Sequence, residues 1–486
     1  MLCRTVGIVS LNTQIKDTLI ELFSDWAGED ARDIAALPPS GSYREYYRIR
    51  SDRLSALGVF NPDRKENVAF LDFSRHFLQK GLPVPAIYAD APERNMYLIQ
   101  DLGDSTLFSY LTQQRLNGDF PDELTATYKR VLSELPKFQV LAGQDLNYDV
   151  CYPRRKFDKQ SMLWDLNYFK YYFLKLARIP FDEQDLEDDF QTLTEYLLRT
   201  DCDYFMYRDF QSRNIMLYQD RPYFIDYQGG RRGALQYDVA SLLFDAKADI
   251  PHPLRQELLT HYVQALSALI ALNEQEFFDY YYGYVCIRIM QAMGAYGFRG
   301  FYEKKLHFLQ SVPYALNNLR WLLNTIELPI RVPALLDVFY RLVDSEEWRN
   351  FDDMSPRLTV RINSFSYRRG IPVDESGHGG GFVFDCRSLP NPGHNERYRQ
   401  LDGSAPEEIE FFEHHTDVED FLQNIYALIQ RSVENFQQRN FQTMMVSFGG
   451  TGGQHRSVYC AERLAGHLRS RYRLTLTIRH LELEMK

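Results

Sequence analysis

A chain of 486 residues is longer than one hydrophobic core usually organises, so two or more domains are expected. With 45% apolar and 14% aromatic residues the composition excludes an intrinsically disordered chain, and no apolar run approaches the roughly 18 residues a membrane span needs. Acidic side chains outnumber basic ones, 66 to 55, and because charges balance over 357–486 the whole acidic excess lies before that point, which excludes a general nucleic-acid ligand there.

Six cysteines (Cys3, Cys151, Cys202, Cys286, Cys386 and Cys460) are scattered with no C-x-x-C pair, so neither a disulfide framework nor a metal site is indicated. A reducing, cytoplasmic setting is the expectation, with no membrane partner.

In chain order, Ile15, Leu19, Leu22, Phe23 and Trp26 fall at helical spacing and predict a helix over 13–29, which the Pro38-Pro39 pair ends. Residues 43–60 read as two short strands and 66–80 as a helix closed by Gly81 and Pro83. A strand over 96–99 runs into the polar turn 100–104. Residues 105–200 read as helical, 204–227 as two short strands flanking a polar loop, and helices resume to about 345. The polar stretch 346–356, ending in Pro356, is the expected linker between domains 1–345 and 357–486. Beyond it the pattern changes to strand, loop, helix and a glycine-rich strand-to-helix turn.

Two carboxylates and a carboxamide stand out in the polar loop: Asp209, Asn214 and Asp226. Moving a phosphoryl group from ATP needs a base to orient the acceptor hydroxyl and oxygen ligands for Mg²⁺. Asp209 suits the base; Asn214 and Asp226 suit the metal. Leu54 to Phe60 offers no lysine to pair with nucleotide phosphates, leaving Lys65 or Arg44 as substitutes and Glu66 as the partner of such a cation.

Near the C-terminus an apolar strand enters Gly449, Gly450, Thr451, Gly452, Gly453, Gln454, His455, Arg456 and Ser457 and then a helix. Glycines let backbone N–H groups converge on an anion, the helix start adds its positive end, and Arg456, His455 and Ser457 add donors. Gly450 and Arg456 have the spacing of the cysteine-phosphatase loop C-x-x-x-x-x-R, but glycine replaces the nucleophile, so the loop is expected to hold a phosphate intact.

The Asp209–Asn214–Asp226 spacing resembles the signatures of the aminoglycoside phosphotransferase family, of protein-kinase-like fold. Together with Gly41 to Arg48, Pro83 to Pro85, Tyr97 to Asp104 and Gln236 to Leu243, it is most similar to the branch that phosphorylates cell-wall amino sugars at the anomeric hydroxyl. The resemblance implies an α+β bilobal fold, with a small β-rich lobe and a helical lobe, and a nucleotide and an amino sugar as partners. It counts Arg208 with Asp209 as catalytic and places Gly41, Ser42, Tyr43 and Arg44 over the phosphates. Gln100, Asp101 and Leu102 become the adenine hinge and Asp238 a brace of the catalytic loop. Tyr207 stands where the family usually has histidine, a position that supports the loop.

Residues 360–486 resemble the C-terminal domain of the RapZ RNase adaptors through Ser364 to Pro372, Val383 to Pro392 and Thr451 to Val458. That likeness implies a smaller α/β domain binding a phosphorylated sugar or phosphate ion, with Asp385, Arg387 and Asn391 facing the glycine loop. The alternative is an RNA-binding or protein adaptor on a pseudokinase scaffold. It would use Arg463, Arg469, Arg471, Arg473 and Arg479 as a basic strip, although the net charge of the region does not favour RNA.

Overall fold

The computed structural model describes residues 2–38, 44–115, 120–349, 351, 358–374, 380–438, 441–472 and 474–484. The chain divides into two compact units, Met1–Asp353 and Met354–Lys486.

The first unit opens with a helix, Leu2–Ala27, longer at its start than the predicted 13–29. An antiparallel sheet follows with strands in the order β1-β2-β3-β5-β4: β1 Asp33–Ala36, β2 Glu45–Arg50, β3 Ser55–Phe60, β4 Ile87–Ala91 and β5 Met96–Gln100. Alternation along the strands gives the sheet two apolar faces. Tyr47, Ile49, Ala56, Met96 and Leu98 pack on Ile15, Leu19 and Phe23 of the first helix. Val59, Tyr97 and Ile99 face the other way and join the main core, to which the helix Arg64–Gln79 contributes Phe70, Phe73 and Phe77. Asp63 caps that helix by accepting from the N–H groups of Lys65 and Glu66. Its exit is left-handed at Gly81, φ +72°, ahead of Pro83.

The remainder of the unit is helical and encloses two short ribbons, one pairing β6 (Tyr204–Met206) with β9 (Arg231–Gly233), the other β7 (Ile215–Tyr218) with β8 (Arg221–Phe224). The unit therefore has the small antiparallel lobe and helical lobe of the protein-kinase-like fold. Two edge strands, β1 and β4, are additions to the three expected.

In the second unit β10 (Thr359–Ser366), β11 (Phe382–Asp385), β12 (Thr443–Gly450) and β13 (Thr475–His480) form one parallel sheet in the order β11-β12-β10-β13. Val360, Ile362, Val446 and Phe448 pack against Leu422, Ile425 and Ile429 of the helix Thr416–Gln438 and Leu464 and Leu468 of the helix Arg456–Arg471. Among the described residues no helix is long and apolar enough to cross a membrane.

Candidate active site and anion cradle

The ribbon β7–β8 explains the spacing of the first constellation. Its two-residue turn, Gln219-Asp220, has positive φ at both positions, 49° and 58°, the geometry that matches strand twist in tight hairpins. The pairing sets Ile215 opposite Phe224, and the Ile225 N–H donates to the Asn214 carbonyl, 3.1 Å. Residues 214 and 226, twelve apart in sequence, thus meet at one end of the ribbon. The Asn214 Nδ2 group donates both to the main-chain carbonyl of Asp209, 2.9 Å, and to Asp226 Oδ2, 3.1 Å. With its nitrogen spent on protein, the carboxamide oxygen is the atom of this side chain that could hold a metal ion.

Asp226 stands in left-handed backbone, φ 69°, and Gln228 Nε2 donates to its Oδ1, 2.6 Å. Burial raises its pKa and the nearby Asp209 charge raises it further, with Arg44 and Gln228 pulling the other way. The side chain is nevertheless 39% accessible. The carboxylate is thus crowded by protein yet partly open to water.

Asp238, in the first turn of the helix Leu235–Leu243, is fully buried. It accepts from the N–H groups of Tyr207, 2.8 Å, and Arg208, 2.9 Å, and from Gln139 Nε2, 3.1 Å. It thereby holds the loop in the strained conformation that Arg208 adopts, φ 84°. The Tyr207 hydroxyl donates to the Ile225 carbonyl, 2.6 Å, tying the loop to the end of β8.

Arg208, expected beside Asp209 in the chemistry, turns elsewhere. Its guanidinium forks onto both oxygens of Asp165, 2.6 and 2.7 Å, and donates to the Tyr237 hydroxyl, 2.7 Å, so its side chain is a positioning element. Asp165, 43 residues earlier, carries no local sequence signal for this role.

At the connection out of β5, Asp101 accepts from Ser55 Oγ, 2.7 Å, and pairs with Arg48 Nε, 2.8 Å, and burial is outweighed by these bonds so that its pKa is lowered. Its side chain therefore holds the connection closed on the sheet. Gln100 braces Ala86 through main chain and side chain, and Leu102 is buried. Gly41, Ser42 and Tyr43 lie outside the described residues; Arg44 does not, and it contacts Glu66 and Asp226.

In the second unit the chain leaves β12 at Gly450 and enters the helix at Arg456, at the C-terminal ends of a parallel sheet where such folds bind ligands. Asn391, Thr451, Gly452, Gly453, His455, Arg456 and Ser457 line a recess of about 210 Å³. Gly453 is left-handed, φ +70°, and a Cβ there would lie 2.5 Å from the Glu482 side chain. Ser457 Oγ is buried with no hydrogen-bond partner among the described residues and lies 3.4 Å from where a Cβ of Gly450 would stand. His455 Nδ1 bonds the fully buried Glu408 carboxylate, 2.6 Å.

Two expectations for this loop need correction. Arg456 Nη1 donates to the carbonyls of Arg387, 2.7 Å, and Leu389, 3.0 Å, so part of its fork braces a neighbouring loop. Asp385 and Arg387 pair with each other, 2.7 Å, at the surface and do not line the recess. Of the arginine strip, Arg463 pairs with Glu413, 3.3 Å, and Arg479 with Glu484, 2.7 Å, while Arg473 lies outside the described residues.

Gly403 sets the position of the cradle from below. A Cβ there would stand 2.1 Å from the His455 carbonyl oxygen and 2.5 Å from the Tyr459 nitrogen, both main chain. Gly403→Ala is therefore expected to shift the helix start and to cost about 2 kcal/mol or more, read as a lower denaturant midpoint.

Residues 35–276 match the phosphotransferase enzyme family, and residues 358–484 match the RapZ C-terminal domain. Among curated proteins, a nucleotide-binding protein of Nitrosococcus oceani is 35% identical over 184 residues, 37% of this chain and 63% of its own length. One of Hahella chejuensis is 37% identical over 144 residues, 30% of this chain and 48% of its own. The chain thus spans about half to three-fifths of the length of these relatives. Among solved structures, choline kinase LicA from Streptococcus pneumoniae aligns at 12% identity and TM-score 0.40 over 63% of this chain and 99% of that one. A Plasmodium vivax ethanolamine kinase aligns at 12% and 0.43 over 59% and 81%. The chain joins a domain of the phosphotransferase enzyme family to a RapZ C-terminal domain in one polypeptide.

Proposed function

We propose that the first unit is an ATP- and Mg²⁺-dependent kinase acting on a hydroxyl of an amino sugar, at the anomeric position, and that the second binds a phosphorylated sugar. The observation that supports the first part is that Asn214 ties the main chain of Asp209 to the Asp226 carboxylate, which is partly open to water and feels the Asp209 charge. ATP, when bound, would supply the phosphoryl group, and Mg²⁺ would offset the charge on its phosphates. The Asp209 carboxylate accepts the proton of the acceptor hydroxyl and aims its oxygen. The Asn214 oxygen and the Asp226 carboxylate hold the metal. Among the described residues no cluster of three or more His, Cys, Asp or Glu side chains could hold a metal. Mg²⁺ held by one carboxylate, one carboxamide, waters and phosphates does not need one. Asp238 and Arg208 fix the loop, and the main chain of 100–102 takes the adenine. Amino-sugar specificity rests on the family resemblance. Its test is ATP consumption with product identification across a panel of hexosamines; turnover with ethanolamine or choline and with no hexosamine would replace the sugar by an amino alcohol.

For the second unit the carrying observation is the buried, unpartnered Ser457 hydroxyl in a glycine-walled recess at a helix start. Asn391 also lines an open cavity of about 600 Å³ that has room for a sugar ring. Glucosamine-6-phosphate or a hexosamine-1-phosphate is expected to raise the melting temperature of the full chain. Ser457→Ala is expected to leave the unliganded melting temperature nearly unchanged, since deleting an unsatisfied hydroxyl is close to neutral, and to remove at least half of the ligand shift. An undiminished shift would place the phosphate elsewhere.

A further inference from the structure

We infer that Glu408, which no motif marks, is the positioning residue for the anion in the second unit's recess: its buried carboxylate holds His455 so that the Nε2 edge of the ring faces the ligand. The inference deepens the reading of the second unit given above and rests on it.

The helix Pro406–Glu413 buries two side chains one turn apart, Glu408 and Phe412. They meet two others with the same spacing, His455 at the cap of the helix Arg456–Arg471 and Tyr459 within it. Phe412 stacks on Tyr459 with ring centroids 4.5 Å apart, an ordinary core contact. Glu408 fills the matching core position with a carboxylate in place of an apolar group. Its Oε1 accepts from His455 Nδ1 at 2.6 Å, and its side chain is fully buried. Oε2 is buried with no hydrogen-bond partner, and among the described residues the side chain forms no other ion pair. A buried charge of this kind lowers stability where a well-packed leucine would not. What it does give the chain is control of one imidazole.

That imidazole is part of the wall of the recess. A carboxylate only accepts, so Nδ1 carries a proton and Nε2, across the ring, is turned away from Glu408. Nε2 reaches Gly393, which lines the same recess; a Cβ there would stand 2.9 Å from it, so the absent side chain leaves that edge of the ring clear. With an anion in place the ring lies between two negative groups, the carboxylate at Nδ1 and the ligand at Nε2. Both ring nitrogens then donate, which only the charged imidazolium can do. His455 thus brings a positive charge to a recess where Arg456 Nη1 is already held by the carbonyls of Arg387 and Leu389. Without Glu408 the ring loses both the bond that sets its orientation and the second anion that favours its charge.

The test is calorimetric binding of inorganic phosphate and of glucosamine-6-phosphate to the full chain and to Glu408→Leu, Glu408→Gln, His455→Ala and the double variant of Glu408→Leu with His455→Ala, alongside the denaturant midpoint of each unliganded protein. Glu408→Leu is expected to weaken binding about 5- to 50-fold, the loss of one charge-assisted hydrogen bond, while its midpoint stays at or above the parent's. A residue that only held the fold together would lower both. Glu408→Gln, which keeps an acceptor for Nδ1, should fall between the parent and Glu408→Leu. With His455→Ala already present, Glu408→Leu should weaken binding no further, because its effect runs through the ring. Parental affinity in Glu408→Leu, or a loss repeated in full without His455, overturns the assignment while leaving the binding reading intact. A parent that binds neither ligand overturns the binding reading with it. If Glu408→Leu does not fold, Glu408→Gln decides: weaker binding at the parental midpoint supports the assignment and parental affinity overturns it.

Discussion

Asp209→Ala is expected to lower phosphoryl transfer by about 100- to 10,000-fold, the usual contribution of a positioned general base, with ATP binding retained. Retention follows from the electrostatics of the floor. Burial is the main cause of the raised Asp226 pKa, and the Asp209 charge is the next. Removing that charge makes Asp226 easier to ionise, so the carboxylate proposed to hold the metal is favoured as the proposed base is lost. The pair of measurements is kcat for the best hexosamine and Kd for Mg-ATP. Equal turnover in the variant and parent would remove Asp209 from the chemistry. A loss of ATP binding would make it structural.

The arithmetic of 209, 214 and 226 was readable because it reflects a local object. Four paired residues on each side of a two-residue turn return the chain to its starting point, so the meeting of Asn214 and Asp226 follows from hairpin geometry. The cradle at 450–457 was readable for the same reason, a strand, a turn and a helix in succession. What escaped the sequence is long-range or edge-like. Asp165 meets Arg208 only through packing of the helix Lys159–Tyr168 under the loop, and no periodicity marks it. Strands β1 and β4 are four and five residues long and only partly buried, so they carry no apolar run to announce them. Arg456 had the right place for a phosphate fork, yet two nearby carbonyls claim one of its nitrogens. Arg44 and Glu66 were legible as an option, and the fold brings them together across the lobe.

Asp238→Ala is expected to be the most destabilising single change at the site. It leaves three buried donors, the N–H groups of Tyr207 and Arg208 and the Gln139 amide, without their acceptor, at a cost on the order of 3 kcal/mol or more. It also frees Arg208 from its strained φ of 84°, so activity should fall in the molecules that remain folded. Asp238→Asn separates the charge from the shape. Burial pushes the Asp238 pKa up to about 7 against the pull of those three donors. Because this lies above the unfolded value of about 3.9, the folded chain keeps the proton longer, and the stability the group contributes is full below about pH 4 and is lost as pH rises through about 7. The parent is therefore expected to lose denaturant stability relative to Asp238→Asn between pH 5 and 7, by an amount on the order of a few kcal/mol, and to run parallel to it above about pH 7.5. A parent that gains on the variant as pH rises would mean that the three donors outweigh burial and hold the carboxylate ionised throughout.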